Sequence, residues 1–457
     1  MSPGHWPFDP WYTAWAYADA LAVPRGGAAA WRQRQAERLG ALLDDVQRRS
    51  ALYRRVLQRR GRGPPSLADV PALARGALMR RFDAWVTDPD VTLQAVRAHL
   101  ADPARRGQPL RGRYAVWCSS GSRGEPGVFV QDAGALAVSD ALEAARGPLT
   151  LVPAGGLRLA YVGAVDGPFA GITTLQRLGQ LAPWFAACAR SFSFLQPLCE
   201  LAAQLDEHQP SVLSTYPSMA WTLAQAQAEG RLHLRLRALW TGGETLTPTL
   251  RAALGAAFDA PVHDMYGASE CLCLASEGRC GRLHLNADWV VLEPVDAHGR
   301  AVPEGVASHT TLLTALANRV QPILRYDLGD RVRVIPGACR CGSALPAIEV
   351  EGRCDDMLAF RDARGRPLSL SPLALATVLE DEGGVFDFDL HQARDGALRL
   401  TLHGVAAAQR PRAHAALLAW LRGQGVADLR LASRAVRAAG RRGASGKRCR
   451  IHRDAPH

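Results

Sequence analysis

Two carboxylates and one ammonium group are set among residues that could put them to chemical use. Glu270 ends the run Tyr266-Gly267-Ala268-Ser269-Glu270, and Asp330 ends Leu324-Arg325-Tyr326-Asp327-Leu328-Gly329-Asp330. Lys447 stands in Gly440-Arg441-Arg442-Gly443-Ala444-Ser445-Gly446-Lys447 as one lysine against 53 arginines. A carboxylate after Tyr-Gly suits a pocket at the end of a strand. Gly-Asp at a strand edge is a common turn, and it can equally set a carboxylate against the diol of a ribose. The glycines before Lys447 fit either a basic tail or a mobile loop that carries a lysine at its tip.

Two further stretches offer backbone groups to a ligand. Cys118-Ser119-Ser120-Gly121-Ser122-Arg123-Gly124-Glu125-Pro126-Gly127 follows the apolar run Tyr114-Ala115-Val116-Trp117. A strand that ends in a Ser/Gly loop presents N–H groups and hydroxyls to an anion, as phosphate cradles do. No Gly-Lys-Ser/Thr closes the loop, so it is not a Walker motif, and a surface loop has the same composition. Thr241-Gly242-Gly243-Glu244 follows Arg237-Ala238-Leu239-Trp240, a short apolar run that stops where backbone must approach something closely.

Ten cysteines in 457 residues do not make a disulfide scaffold. Cys280-x3-His284 and Cys339-x-Cys341 together supply four soft ligands of the kind that hold tetrahedral zinc. With four protein ligands such a zinc would be structural, since catalytic zinc keeps one position open. The alternative is a set of free thiols and a surface histidine.

The elements that must position these residues alternate. Leu157 to Val165 reads as a strand and Phe169 to Leu178 as a helix. Glu200 to His208 is helical, Ser211 to Thr215 a strand, and Tyr216 to Glu229 a helix. After Trp240, Thr245 or Thr247 can cap a helix running to Phe258 with Pro248 in its first turn. Pro261-Val262-His263-Asp264-Met265 then leads to Tyr266 as a second strand end beside the first. Strands alternating with helices predict α/β layers, with ligands outside the strand carboxyl ends. Residues 1–60 read as a helical segment packed on the main domain, and 61–353 as that domain with the Cys/His knuckle. From 354 to 457, short strands around one helix predict a small α+β domain.

Composition bounds the partners. The length requires more than one domain. A net charge of +11 suits anionic ligands, but the arginines are scattered. With neither a basic stripe nor a reading helix, a nucleic-acid binder is not expected. An uninterrupted apolar run long enough for a membrane span is missing, as is a charged-then-apolar leader, so the expected location is cytoplasmic.

The order of the motifs is more specific than any one of them. Ser-Ser-Gly-Ser-x-Gly-x-Pro, Gly-Gly-Glu, Tyr-Gly-x-Ser-Glu, Arg-Tyr-x-x-Gly-Asp, Gly-Arg-x-Asp-Asp and a terminal Ser-Gly-Lys occur here in sequence. The series resembles the adenylate-forming ligase superfamily, and most closely its phenylacetate-CoA ligase branch. The resemblance covers about residue 30 to the end and is densest from Tyr216 to Leu358.

It implies a large N-terminal layered α/β domain and a small mobile C-terminal lid. It further implies activation of a carboxylic acid, here expected to be aromatic, by ATP and Mg²⁺ to an acyl-adenylate and pyrophosphate. The acyl group then passes to coenzyme A. By position, Ser119, Ser120, Gly121, Ser122 and Gly124 would hold the β- and γ-phosphates. Gly242, Gly243, Glu244, Asp264, Met265, Tyr266, Gly267 and Ser269 would form the adenine side, and Glu270 would ligate Mg²⁺. Asp330 resembles the ribose carboxylate, Arg353 the nucleotide-contacting arginine at the hinge, Asp355 the pivot and Lys447 the lysine of adenylation. The branch also carries a zinc knuckle, matched by Cys280, His284, Cys339 and Cys341.

A lone lysine fits that role, because its compact charge reaches between carboxylate and α-phosphate where arginine's planar fork would sit differently. The chain departs from the family in its phosphate loop: Arg123 replaces Thr or Ser, and Glu125-Pro126-Gly127 replaces Lys-Pro-Thr. Arg123 adds positive charge, whereas Glu125 would repel phosphate if it faced inward. Tyr161, Phe169, Tyr216, Trp240 and Met265 are the candidates for the acid pocket. The alternatives are transfer to an acyl carrier protein or an amine, and a catalytically silent, zinc-containing nucleotide-binding protein. A homodimer is also among the expectations.

Overall fold

The computed structural model describes residues 6, 8–58, 65–119, 127–147, 156–406, 409–436 and 448–454, with the side chain of Asp355 left out. Its centre is a nine-stranded sheet. From one edge its strands run Asp330–Val334, Ala347–Arg353, Leu283–Leu285, Ala275–Glu277, Val262–Tyr266, Ala238–Gly242, Val212–Thr215, Leu159–Gly163 and Ala189–Ser193. The last five are mutually parallel. From Val262–Tyr266 toward the first edge, every pairing is antiparallel. Sequence reading placed four of the five parallel strands and had none at the edge strand Ala189–Ser193. The antiparallel half contains strands of three residues, too short to show a period.

The parallel strands are apolar on both sides because helices cover both faces. On one face Ala160, Val162, Leu213 and Leu239 pack with Leu201, Leu205, Leu223, Leu250, Leu254 and Phe258. On the other, Leu159, Val212, Ala238 and Trp240 pack with Phe185. The helix Pro248–Phe258 starts as its sequence requires: Thr247 Oγ1 accepts from Leu250 N–H at 3.2 Å, and Pro248 occupies the first turn. The largest core joins the N-terminal helices Pro10–Ala22, Gly27–Arg49 and Ala51–Gln58 to a three-stranded sheet, Val290–Val295, Thr310–Ala315 and Ile323–Asp327. Arg38 forms buried ion pairs with Asp19 of the first helix and with Asp288, which also pairs with Arg146.

Residues beyond 357 have a core of their own, built from Leu358, Leu375, Leu379, Phe388, Leu390, Leu400, Leu402, Leu417 and Leu421. A four-stranded sheet, Leu431–Val436, Leu398–His403, Phe388–Gln392 and Ile451–Arg453, carries the helices Pro372–Asp381 and Gln409–Gly423. Among the described residues, no helix is long and apolar enough to cross a membrane.

Candidate active site

The carboxyl ends of the parallel strands and the antiparallel strands beside them bring the two carboxylates of interest into one region. Tyr266 ends its strand, and its hydroxyl donates to Asp330 Oδ2 at 2.8 Å. Asp330 lies opposite Arg353 in the strand register, and Arg353 Nη1 donates to Asp330 Oδ1 at 2.8 Å. Arg353 Nη2 donates to Leu328 O, also at 2.8 Å. Gly329 makes room for that guanidinium. Its φ is +72°, and an added Cβ would stand 2.7 Å from Arg353 Nη2. Only glycine meets both conditions.

Glu270 accepts from the hydroxyl of Tyr326 at 2.6 Å. Burial raises its carboxyl above the usual range, and the tyrosine bond works the other way. Sequence reading quoted Tyr326 within a motif but gave it no role. A tyrosine in an apolar strand looks like core, and only its place four residues before Asp330 could have pointed to it. Trp117 Nε1 donates to Ser269 O at 2.9 Å and so ties the strand before the Ser/Gly loop to the Glu270 turn. Gly267 permits that turn, because any side chain there would run into Leu272 O.

The Gly-Gly-Glu segment faces a helix start. Ser218 N–H and Oγ donate to the Glu244 carboxylate, each at 3.0 Å, and Arg448 N–H donates to Glu244 Oε1 at 2.6 Å. Gly242 lies against Met265, with its missing Cβ 3.0 Å from Met265 O. Asp264 accepts from Thr241 Oγ1 at 2.8 Å, and burial pushes its carboxyl up to about 7. Asp264 thus braces the two strand ends against each other.

Of the phosphate-loop candidates, Ser119 is described. Its N–H donates to Gly127 O and its Oγ accepts from Gly127 N–H, both at 2.8 Å, closing the base of the loop. Ser120, Gly121, Ser122 and Gly124 lie outside the described residues, as do Arg123, Glu125, Lys447 and the side chain of Asp355. Among the acid-pocket candidates, Trp240 is corrected. It is buried with Leu159, Phe185 and Val212 in a helix-covered core, because strand alternation turns it away from Leu239 and Thr241. Tyr161 and Tyr216 are hydrogen-bonded to each other, and Phe169 packs against the core on the opposite face of the sheet from Trp240.

Cys280, His284, Cys339 and Cys341 converge, with their ligand atoms all within 4.8 Å of one another. Cys280 Sγ is 3.5 Å from both His284 Nε2 and Cys339 Sγ, and Cys341 Sγ is 3.4 Å from the same two atoms. Tetrahedral zinc at its normal bond lengths sets such atoms roughly 3.5–3.8 Å apart. His284 Nδ1–H donates to Leu345 O at 3.0 Å, which leaves Nε2 to face the three sulfurs. The donor set fits zinc.

Residues 185–308 match the AMP-binding enzyme family. Phenylacetate-coenzyme A ligase from Thermus thermophilus is 28% identical over 181 residues, which are 38% of this chain and 40% of that protein. The matched part is therefore less than half of the relative's length. Among solved structures, a 2-hydroxyisobutyryl-CoA ligase in its postadenylation state aligns with a TM-score of 0.70 at 21% identity, over 93% of this chain and 90% of that one. In the thioesterification state the same ligase aligns at 0.54, with 21% identity over 93% and 89%. The likeness to the AMP-binding enzyme family thus lies in residues 185–308, and the fold is that of the solved CoA ligase.

Proposed function

We propose that this protein joins a carboxylic acid to AMP at the expense of ATP, releasing pyrophosphate, and then transfers the acyl group to coenzyme A. The observation that carries the reading is the Tyr266–Asp330–Arg353 chain beside the Tyr326–Glu270 pair. It is a ribose-sized acceptor next to a buried carboxylate, at the carboxyl ends of parallel strands. An aromatic acid is the first substrate to test, with Tyr161, Phe169, Tyr216 and Met265 nearest its expected place.

Each residue's task follows from charge. Attack of the acid's carboxylate on the α-phosphorus brings two anions together, so neutralisation and alignment dominate the barrier. Asp330 accepts from the ribose hydroxyls, while Tyr266 and Arg353 hold it in place. Glu270 would hold Mg²⁺, whose chemistry is neutralisation of phosphate charge, and Tyr326 fixes the orientation of that carboxylate. Ser119, Ser120, Gly121, Ser122 and Gly124 would hold the β- and γ-phosphates, with Ser119 closing the base of the loop on Gly127. Gly242, Gly243, Glu244, Asp264, Met265, Gly267 and Ser269 form the adenine wall. Lys447 brings its ammonium to the reacting oxygens. The residues after Arg353 rotate about Asp355 between the two half-reactions. Cys280, His284, Cys339 and Cys341 would hold a structural zinc.

Acid-dependent exchange of pyrophosphate into ATP, run without acceptor across a panel of aromatic and aliphatic acids, tests the first half-reaction. Exchange with one class of acid supports the proposal and names the substrate. Coenzyme A added afterwards tests the second half. Absence of exchange with every acid, in protein that binds ATP, refutes the proposal.

A further inference from the structure

We propose that Cys280 and Cys339 are the site of a reversible thiol–disulfide switch, in which a peroxide joins the two sulfurs and the metal they hold is released. The inference rests on the structural zinc proposed above.

The two sulfurs come from separate surface turns. The turn of Cys280 is closed by Gly278 N–H donating to Arg282 O at 2.9 Å, and that of Cys339 by Gly342 N–H donating to Cys339 O at 3.0 Å. Cys280 is exposed and Cys339 half-buried, and their Sγ atoms are 3.5 Å apart. A disulfide needs about 2 Å, a closure that two such turns can make. Cys341 Sγ is as near to Cys339, at 3.4 Å, but with one residue between them their bond would close a small ring and strain the backbone. Cys280 belongs to the other turn, and its bond to Cys339 closes no such ring. A metal-bound sulfur is a thiolate, the form that a peroxide oxidises when it can reach it. Cys273, by contrast, is buried and donates to Glu143 Oε1 at 3.2 Å, away from a dissolved oxidant.

The chain around the sulfurs is held without them. Trp31 Nε1 donates to Ala344 O at 2.9 Å, His284 Nδ1–H to Leu345 O at 3.0 Å, and Leu285 N–H to Pro346 O at 2.9 Å. A change of partner at sulfur therefore leaves Leu283–Leu285 paired with Ala347–Arg353, and the step can be reversed without refolding.

In the reaction the Cys280 thiolate attacks one oxygen of hydrogen peroxide; an S–O bond forms, the O–O bond breaks and hydroxide leaves. The Cys339 thiolate then attacks the Cys280 sulfur; the S–S bond forms, the S–O bond breaks and a second hydroxide leaves. Two protons from solvent turn both hydroxides into water. Each sulfur has given up one electron, and the peroxide has taken two. Of the four ligands, His284 and Cys341 are left, too few for tetrahedral zinc.

The test treats the zinc-loaded full chain with hydrogen peroxide, following released zinc with a chromogenic chelator and cysteine pairing by peptide mass mapping. One zinc should appear for each Cys280–Cys339 disulfide, at least about tenfold faster than the exposed Cys199 is oxidised, because a metal-bound thiolate outreacts a thiol. Dithiothreitol with added zinc should restore both thiols and metal, and Cys341→Ser should still form the disulfide. Zinc retained under peroxide, sulfinic or sulfonic acid in place of the disulfide, pairing that uses Cys341, or oxidation no faster than that of Cys199 would each overturn the inference. If the purified protein holds no zinc, the structural-zinc reading fails, and the mapped cysteine pair still decides whether Cys280 and Cys339 form the switch.

Discussion

Replacing Asp330 with asparagine keeps the size of the side chain but removes its charge and turns one acceptor atom into a donor. In the protein the two carboxylate oxygens already accept from Tyr266 and Arg353, each at 2.8 Å, and their remaining lone pairs are what a ribose diol would use. The amide must set its NH₂ against either the tyrosine hydroxyl or the guanidinium, so at least one existing bond is lost as well. A hydrogen bond to a charged group contributes about 1.5–3 kcal/mol, so the variant should bind AMP and ATP alike about 10- to 100-fold more weakly. The stability cost is smaller. Arg353 has a half-exposed side chain, and such a pair contributes roughly 0–1 kcal/mol.

Calorimetric titration with AMP and with its 2′,3′-dideoxy analogue closes a double-mutant cycle on the protein carboxylate and the ligand diol. Wild type should prefer AMP by about the same factor that the substitution removes, and Asp330→Asn should barely tell the two ligands apart. If the variant loses as much affinity for the dideoxy nucleotide as for AMP, the carboxylate does not read the diol. The assignment of Asp330 is then wrong.

Other outcomes follow from the same geometry. Cys339→Ser should lower bound zinc and melting temperature together, and unchanged zinc content by atomic absorption would dismiss the knuckle. Lys447→Ala should cut pyrophosphate exchange by about a hundredfold or more while sparing acyl transfer from a supplied adenylate; equal loss of both would contradict its role. Asp264 is raised to about 7 by burial, so its proton stabilises the fold below about pH 4 and that contribution is lost as pH rises to about 7. Asp264→Asn should therefore melt above wild type at pH 8, with the gap closing toward pH 4. A gap that stays constant with pH would show that the carboxyl titrates normally.

The legible parts of the fold were those written locally. Thr247 and Pro248 announce a helix start in two residues, and the alternation from Leu157 to Met265 gave four of the five parallel strands, missing the exposed edge strand Ala189–Ser193. The Cys/His cluster was readable because Cys-x3-His and Cys-x-Cys are compact, although nothing in their spacing says that the two halves meet. What stayed hidden depends on distant partners. Ala275–Glu277 and Leu283–Leu285 become strands because Val262–Tyr266 and Ala347–Arg353 lie alongside. Trp240 was read toward the pocket from its position near a strand end. The face on which it lies is set by the pleat, and the pleat sends it into the core. Tyr326 looked like packing, and the bond to Glu270 that distinguishes it spans 56 residues.

Among the described residues, several polar contacts and one ring contact join the two parts of the chain: Arg448 N–H meets Glu244, Thr247 meets Glu380, Thr249 meets Asp381, and Trp221 meets Phe386 with the rings tilted and their centroids 4.4 Å apart. The Thr249–Asp381 bond is exposed and exchanges with water at a net cost of about 0.5–1.5 kcal/mol, whereas the Thr247–Glu380 bond is buried. Glu244 also accepts from Ser218 N–H and Oγ, so its carboxylate is held independently of the Arg448 bond. If the residues after Arg353 move as proposed, this seam is what must open, and a difference in ligand affinity between the two arrangements would set the population of each.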